Sequence, residues 1–184
     1  MIEAQAKTLI LIPAYNEERV IGRLLKEIEE TSLDFSYEIL VVDDGSTDST
    51  AAVVPASGAR VLTLIRNMGY GYALQAGFQV AWEEGFDYVV QLDGDGQHDP
   101  ASIPELLQPL YEGQCSLVIG SRALSQDPYP MPWPRRLGQR VFSRLLHSLS
   151  GLRVLDPTSG YQALDRRALQ YYRADDFPGD YPDA

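Results

Sequence analysis

Apolar residues along the chain come in short unbroken runs, and stretches of helical period separate them. The runs are TLILIPAY (8–15), YEILVVDD (37–44), ARVLTLI (59–65), FDYVVQLD (86–93) and CSLVIGSR (115–122). Each reads as a strand, and TLILIPAY as one buried on both faces. Between them, NEERVIGRLLKEIEE (16–30) places apolar residues at 20, 21, 24, 25 and 28, one face of a helix. Asn16 is its expected N-cap, with acids in the first turn. STDSTAAVV (46–54) predicts a second helix with good capping residues, and GYGYALQAGFQVAWEEG (69–85) a third, opened by glycines and closed by Gly85. ASIPELLQPLYEG (101–113) predicts a fourth. Pro104 fits a first turn there, whereas Pro109 should kink or split the helix.

Strand and helix alternate with short links, the signature of a parallel-sheet α/β domain. Ligands of such sheets sit beyond the carboxyl ends of the strands. The polar clusters fall there: PAYNE (13–17), DDGSTD (43–48), RNMGYG (66–71), DGDGQHD (93–99) and GSR (120–122). The rhythm then breaks. ALSQDPYPMPWP (123–134) reads as an extended loop, RRLGQRVFSRLLHSLSGL (135–152) as a basic amphipathic helix, and DPTSGYQALD (156–165) as a turn entering a short strand.

With 184 residues, 45% hydrophobic and 22% charged, the chain fits one globular domain with a sizeable core. The single cysteine, Cys115, excludes an internal disulfide and is expected to be a small core residue in a reducing cytoplasm. No apolar run reaches the length of a membrane span, and the N-terminus lacks the pattern of a signal peptide. The last residues, ADDFPGDYPDA, read as an acidic tail or the start of further protein. The expected division is therefore a domain over 1–172 and a tail over 173–184. A net charge of −11 argues against a nucleic-acid binder. The segment from Pro128 to Arg153 nevertheless carries five arginines and no acid. Its helix, with Arg136, Arg140 and Arg144 among Leu137, Val141, Phe142, Leu145 and Leu146, is a candidate surface for a lipid phosphate or an anionic bilayer. An ordinary amphipathic helix packed on the sheet is the alternative.

The strongest chemical signal is Asp93-Gly94-Asp95. Two carboxylates two residues apart at a strand end can turn toward one point, and hard oxygen donors suit Mg²⁺ or Mn²⁺ completed by substrate phosphates. A solvated Asp-Gly turn is the plain alternative. His98 is expected to be hydrogen-bonded in its loop and not a metal ligand. Caps account for Ser46, Thr47 and Asp48. They do not account for Asp43 and Asp44 at the end of an apolar strand, where an acid could accept from a base or ribose. Gly69 and Gly71 permit close approach of an anion to a helix start. Tyr15 offers a stacking face, Glu17 an acceptor, and Arg122 a guanidinium for phosphate or for a simple salt bridge.

Six motifs in order (PAYNE, VVDDGSTDST, NMGYGYALQAGF, DGDGQH, GSR and DPTSGYQALDR) resemble the family 2 glycosyltransferases, and within them the polyprenol-phosphate (dolichyl-phosphate) sugar synthases. The resemblance covers nearly the whole chain. It implies the GT-A fold, a three-layer α/β sandwich with a mostly parallel central sheet. It also implies inverting transfer of a sugar from a GDP- or UDP-linked donor to an acceptor, a polyprenyl phosphate above all, with Mg²⁺ or Mn²⁺. Pro13, Ala14, Tyr15, Glu17, Asp43, Asp44, Gly69, Asp93, Gly94 and Asp95 would line the donor site, with Asp93, Asp95 and Gln97 at the metal. Arg122, Arg135 and Gln139 would face the acceptor phosphate, and Asp156 would be the base if the acceptor is a hydroxyl. Gln139 stands where the family often has serine. Tyr70 stands where it often has a lysine, so a phosphate contact from that lysine is missing. The implied location is the cytoplasm, at the inner face of a membrane through residues 135–149.

Three rivals remain. A haloacid-dehalogenase phosphatase should carry Asp-x-Asp on its first strand and use a later lysine, but here the motif is on the fourth strand and the lysines are Lys7 and Lys26. A nucleotidyltransferase should carry a basic glycine-rich loop where PAYNE is acidic. A non-catalytic nucleotide-sugar-binding module would keep the donor residues and lack the acceptor half.

Overall fold

The structure is a computed structural model that describes residues 6–96, 98–120 and 159–173. Strand β1 (Thr8–Ala14) is buried at all seven positions. It pairs in parallel with β2 (Tyr37–Asp43) on one side and β4 (Tyr88–Gln91) on the other. β2 pairs in parallel with β3 (Arg60–Thr63). β6 (Gln162–Asp165) lies between β4 and β5 (Leu117–Ile119), antiparallel to both. The sheet order is β3-β2-β1-β4-β6-β5. The expected mostly parallel α/β sheet is therefore present, with one antiparallel strand inserted before its last parallel member.

Alternate residues of the strands feed two cores, because successive side chains of a strand point to opposite faces. Ile10, Ile12, Ile39, Val41, Val90 and Ala163 face α1 (Ile21–Glu30) and α4 (Ile103–Tyr111). Leu9, Leu11, Leu40, Val42, Val89 and Leu164 face α3 (Tyr70–Glu83) and α5 (Arg166–Tyr172). The short α2 (Thr50–Val53) follows β2 and passes into a 3₁₀ turn over Val54–Ser57. α1 buries Ile21, Leu24, Leu25 and Ile28, a spacing that puts one apolar stripe on the sheet. On the opposite face the guanidinium groups of Arg166 and Arg173 both lie over Trp82 of α3, each 4.3 Å from its ring, which ties α5 to α3.

Three local expectations are corrected. Asn16 is not the cap of α1: the helix starts at Ile21, and Asn16 sits at φ 56, a left-handed conformation that asparagine tolerates. Pro109 does not split its helix, since α4 runs unbroken through it. The bond its missing N–H forfeits leads to the carbonyl of Glu105, an exposed residue near the start of the helix, where water can take the bond's place. Cys115 is exposed, not core, because it lies in the link between α4 and β5 before the sheet resumes.

Candidate functional site

The loops that leave β1, β2, β3 and β4 all emerge at the carboxyl edge of the sheet, and backbone donors lock them to one another. The first lock joins the β1 and β2 loops. The Asn16 N–H donates to Ser46 Oγ (2.9 Å), and Asn16 Oδ1 accepts from the Thr47 N–H (2.8 Å). The Glu17 N–H donates to Thr50 Oγ1 (2.8 Å), and the Glu18 N–H to Asp48 Oδ2 (3.2 Å). Glu18 answers by accepting from the Ser49 N–H (3.0 Å). Asp48 also accepts from the Thr50 N–H at the head of α2 (2.9 Å). Of the three residues read as caps, Asp48 alone serves α2 with its side chain; the Ser46 hydroxyl and the Thr47 N–H belong to the lock.

The second lock holds the β3 loop. Asp44, 4% exposed, accepts from the N–H groups of Met68 (2.7 Å) and Gly69 (2.9 Å). Asp43, beside it, accepts from the Ser46 N–H (3.1 Å). Both acids thus serve backbone donors of this edge, a reason for two buried carboxylates at a strand end that sequence reading did not find. Gly45 follows at φ +66, and a Cβ there would stand 2.3 Å from the Arg66 backbone, so only glycine lets the two loops approach.

The third group surrounds Asp93. Tyr70, the first residue of α3, donates its hydroxyl to Asp93 Oδ1 (2.5 Å) while accepting from Gln91 Nε2 (2.9 Å). His98 Nε2 lies 3.4 Å from Asp93 Oδ2, and the imidazole stacks on Tyr161 with ring centroids 4.8 Å apart. A Cβ on Gly160 would meet Asp93 Oδ2 at 2.3 Å, so the Ser159–Tyr161 segment rests directly against this carboxylate. Burial, then the charges of Asp99 and Glu105, push the Tyr161 hydroxyl pKa up. His98 is thus buried in the loop against Asp93 and Tyr161.

Asp95, by contrast, is exposed on the turn after β4. Glu17 is near it and partly buried. Desolvation, followed by the carboxylates of Asp95 and Asp48, raises the Glu17 pKa above its ordinary 4.5. Gly94 lies under the end of β1: a Cβ there would sit 2.9 Å from the Pro13 carbonyl and 3.5 Å from Ala14 Cβ. Tyr15 is 44% exposed on the same loop. Pro13, Ala14, Tyr15, Glu17, Asp43, Asp44, Gly69, Asp93, Gly94 and Asp95 are thus all at one edge of the sheet. Gln97, Arg122, Arg135, Gln139 and Asp156 lie outside the described residues, as does the arginine-rich stretch 135–149.

Among the described residues, no three His, Cys, Asp or Glu side chains form a cage that would hold a metal alone. The donor set fits a hard cation that takes one or two carboxylates from the protein and its remaining oxygens from water and phosphate, the habit of Mg²⁺ and Mn²⁺. An exposed Asp95 beside a carboxyl group that its charge already perturbs meets that description. No helix among the described residues is long and apolar enough to cross a membrane.

This architecture is that of the GT-A enzymes. A solved structure of glucosyl-3-phosphoglycerate synthase from Mycobacterium tuberculosis, in complex with Mn²⁺, uridine-diphosphate-glucose and phosphoglyceric acid, superposes with a TM-score of 0.68 at 29% identity, over 90% of this chain and 59% of that one. Residues 9–173 match the family described as Glycosyl transferase family 2, and the chain belongs to that family. A UDP-N-acetylglucosamine–dolichyl-phosphate N-acetylglucosaminyltransferase of Methanococcus voltae is 30% identical, with 88% of this chain and 70% of that protein covered. A polyprenol monophosphomannose synthase of Mycolicibacterium smegmatis is 32% identical, with 89% and 63% covered. The chain thus spans between 59% and 70% of the length of these three proteins.

Sequence reading missed the part played by Tyr70 and the closeness of Gly160 to Asp93. A tyrosine at the first position of a helix, opposite an Asp-x-Asp strand end, was the available signal, but it was read only as an absent lysine.

Proposed function

We propose that the protein transfers a sugar, with inversion, from a nucleoside-diphosphate sugar to a phosphate-bearing acceptor, a polyprenyl phosphate before others. The observation that carries this reading is the placement of Asp95 beside Glu17 at the carboxyl edge of the sheet, where burial and then the carboxylates of Asp95 and Asp48 raise the Glu17 pKa, an environment that favours a positive charge. The M. voltae and M. smegmatis relatives are named for dolichyl-phosphate and polyprenol chemistry, and the M. tuberculosis structure for a Mn²⁺ and uridine-diphosphate-glucose complex. Those names support the acceptor and the donor class.

In this reading Asp95, with Asp93 and Gln97, would hold Mg²⁺ or Mn²⁺. Bound there, the cation supplies neutralisation of the diphosphate leaving group. Pro13, Ala14, Tyr15, Glu17, Asp43, Asp44, Gly69 and Gly94 are assigned with Asp93 and Asp95 to the nucleotide-sugar site, where Asp43 and Asp44 also hold the adjoining loops. Arg122, Arg135 and Gln139 are assigned to the acceptor phosphate. An ionised phosphate oxygen needs no strong base to attack the anomeric carbon; Asp156 is the base for a hydroxyl acceptor. The arginine-rich segment 135–149 is assigned to contact with an anionic membrane surface.

The test is transfer of label from UDP- and GDP-sugars into an organic-extractable product, with a short polyprenyl phosphate as acceptor and Mn²⁺ present. Metal-dependent label in the lipid phase is the expected result. Nucleotide binding with no transfer to a lipid phosphate or to phosphoglycerate would overturn catalysis and leave a binding module.

A further inference from the structure

We propose that Tyr70 is a positioning residue for Asp93: its hydroxyl fixes the first carboxylate of the Asp-x-Asp pair, so that Asp93 forms the rigid back of the site and Asp95 the face offered to the cation. This rests on the donor-site reading above.

The geometry of the hydroxyl is directional. A tyrosine O–H has a single proton to donate. Gln91 Nε2 donates to the Tyr70 oxygen at 2.9 Å, occupying its acceptor side, and Gln91 is 1% exposed in the middle of the sheet, so its amide is held in place. The proton is thereby aimed at Asp93 Oδ1, 2.5 Å away, a charge-assisted bond at the short end of its range. The other carboxylate oxygen faces His98 Nε2 at 3.4 Å, and the Gly160 backbone closes a further side. Asp93 is thus held from α3, from its own loop and from the segment that enters β6.

The ring of Tyr70 is itself anchored. It packs against the core formed by Leu9, Leu11 and Phe78, and its backbone opens α3 immediately after Gly69, whose N–H Asp44 accepts. Tyr70 thus joins the end of the β3 loop to Asp93. A lysine at this position would bring a mobile positive charge. Tyrosine brings a neutral donor on a stiff ring, which orients the carboxylate and leaves its negative charge for the cation. Outer partners of this kind raise metal affinity by fixing the ligand's orientation.

The experiment is a double-mutant cycle with Tyr70→Phe, Asp93→Ala and the double variant. Tyr70→Phe keeps the ring and its packing, so the fold survives. Two readouts are taken: urea unfolding without metal or nucleotide, and calorimetric Kd for UDP and GDP with and without Mn²⁺. The expected unfolding result is a coupling factor of about fivefold or more in the equilibrium constant. The expected binding result is that Tyr70→Phe weakens Mn²⁺-dependent nucleotide binding about tenfold and leaves metal-free binding within about twofold, a split that a merely structural tyrosine does not produce. Nucleotide binding by the wild type with an additive cycle, or with equal losses with and without metal, overturns the role of Tyr70 alone. A coupled cycle in a wild type that binds no nucleotide overturns the donor-site reading, and the positioning role with it.

Discussion

The backbone of Gly160 lies against the carboxylate of Asp93: a Cβ at 160 would stand 2.3 Å from Oδ2 and 2.4 Å from Oδ1. These residues are far apart in sequence, and the antiparallel pairing of β6 with β4 brings them together. Gly160→Ala should therefore push Asp93 off the Tyr70 hydroxyl. The expected cost is about 1–3 kcal/mol of stability, the range for forcing extra atoms into a packed site. Metal-dependent nucleotide binding should fall with it. Urea unfolding and calorimetry check both, and unchanged binding would mean that Asp93 can move without consequence.

Asp44 should behave as a structural acceptor. Both its oxygens take backbone N–H groups, from Met68 and Gly69, in a nearly solvent-free position. Asp44→Ala strands two donors and should cost about 2–3 kcal/mol. Asp44→Asn offers one carbonyl for two N–H groups and should fall between. Amide hydrogen exchange at Met68 and Gly69 should accelerate in both variants, and before any other segment of the β3 loop.

The far end of the sheet gives a prediction about pH. Arg60 makes two 2.6 Å bonds to the carboxylate of Glu84, a bidentate pair, and a 3.2 Å bond to Glu38. The bond from Arg60, the largest favourable influence, outweighs burial and lowers the Glu84 pKa below 4.5. A depressed acid contributes stability that is present above its unfolded value and is lost as pH falls through the folded one. Arg60 and Glu84 are both more than 40% exposed, which limits the contribution at neutral pH to less than about 1 kcal/mol. Glu84→Gln should remove it, and the difference from wild type should vanish in unfolding titrations carried to pH values well under 4.5.

The central strands were legible because they bury both faces, so the chain spells them as apolar runs; β1, TLILIPA, buried at all seven positions, is the clearest case, whereas β3 at the edge of the sheet exposes Arg60 and Thr63. The place of β6 was not. A strand as short as QALD carries no local mark of its partner or direction, and its insertion between β4 and β5 depends on contacts made only in the folded sheet. The gathering of the polar loops at one edge followed from the alternation of elements alone. The work of individual side chains did not. Asn16 has the residue type of a helix cap, but its amide is taken up by the Thr47 N–H, a partner 31 positions away. The backbone N–H groups that Asp43 and Asp44 accept were not legible, because a sequence cannot show which donors a second loop brings to them. Tyr70 was read by the charge it lacks, and its hydroxyl acquires a meaning only beside Asp93.

The central claim is that the carboxylates after β4 seat a cation for a nucleoside diphosphate. Calorimetric titration of the protein with UDP and GDP, with and without Mn²⁺, beside Asp95→Ala, tests it most directly. The account predicts Mn²⁺-dependent binding of one nucleotide, weakened at least about tenfold in the variant, the scale of losing a charged ligand. Binding of neither nucleotide by the folded wild type, or equal binding by Asp95→Ala, would contradict it.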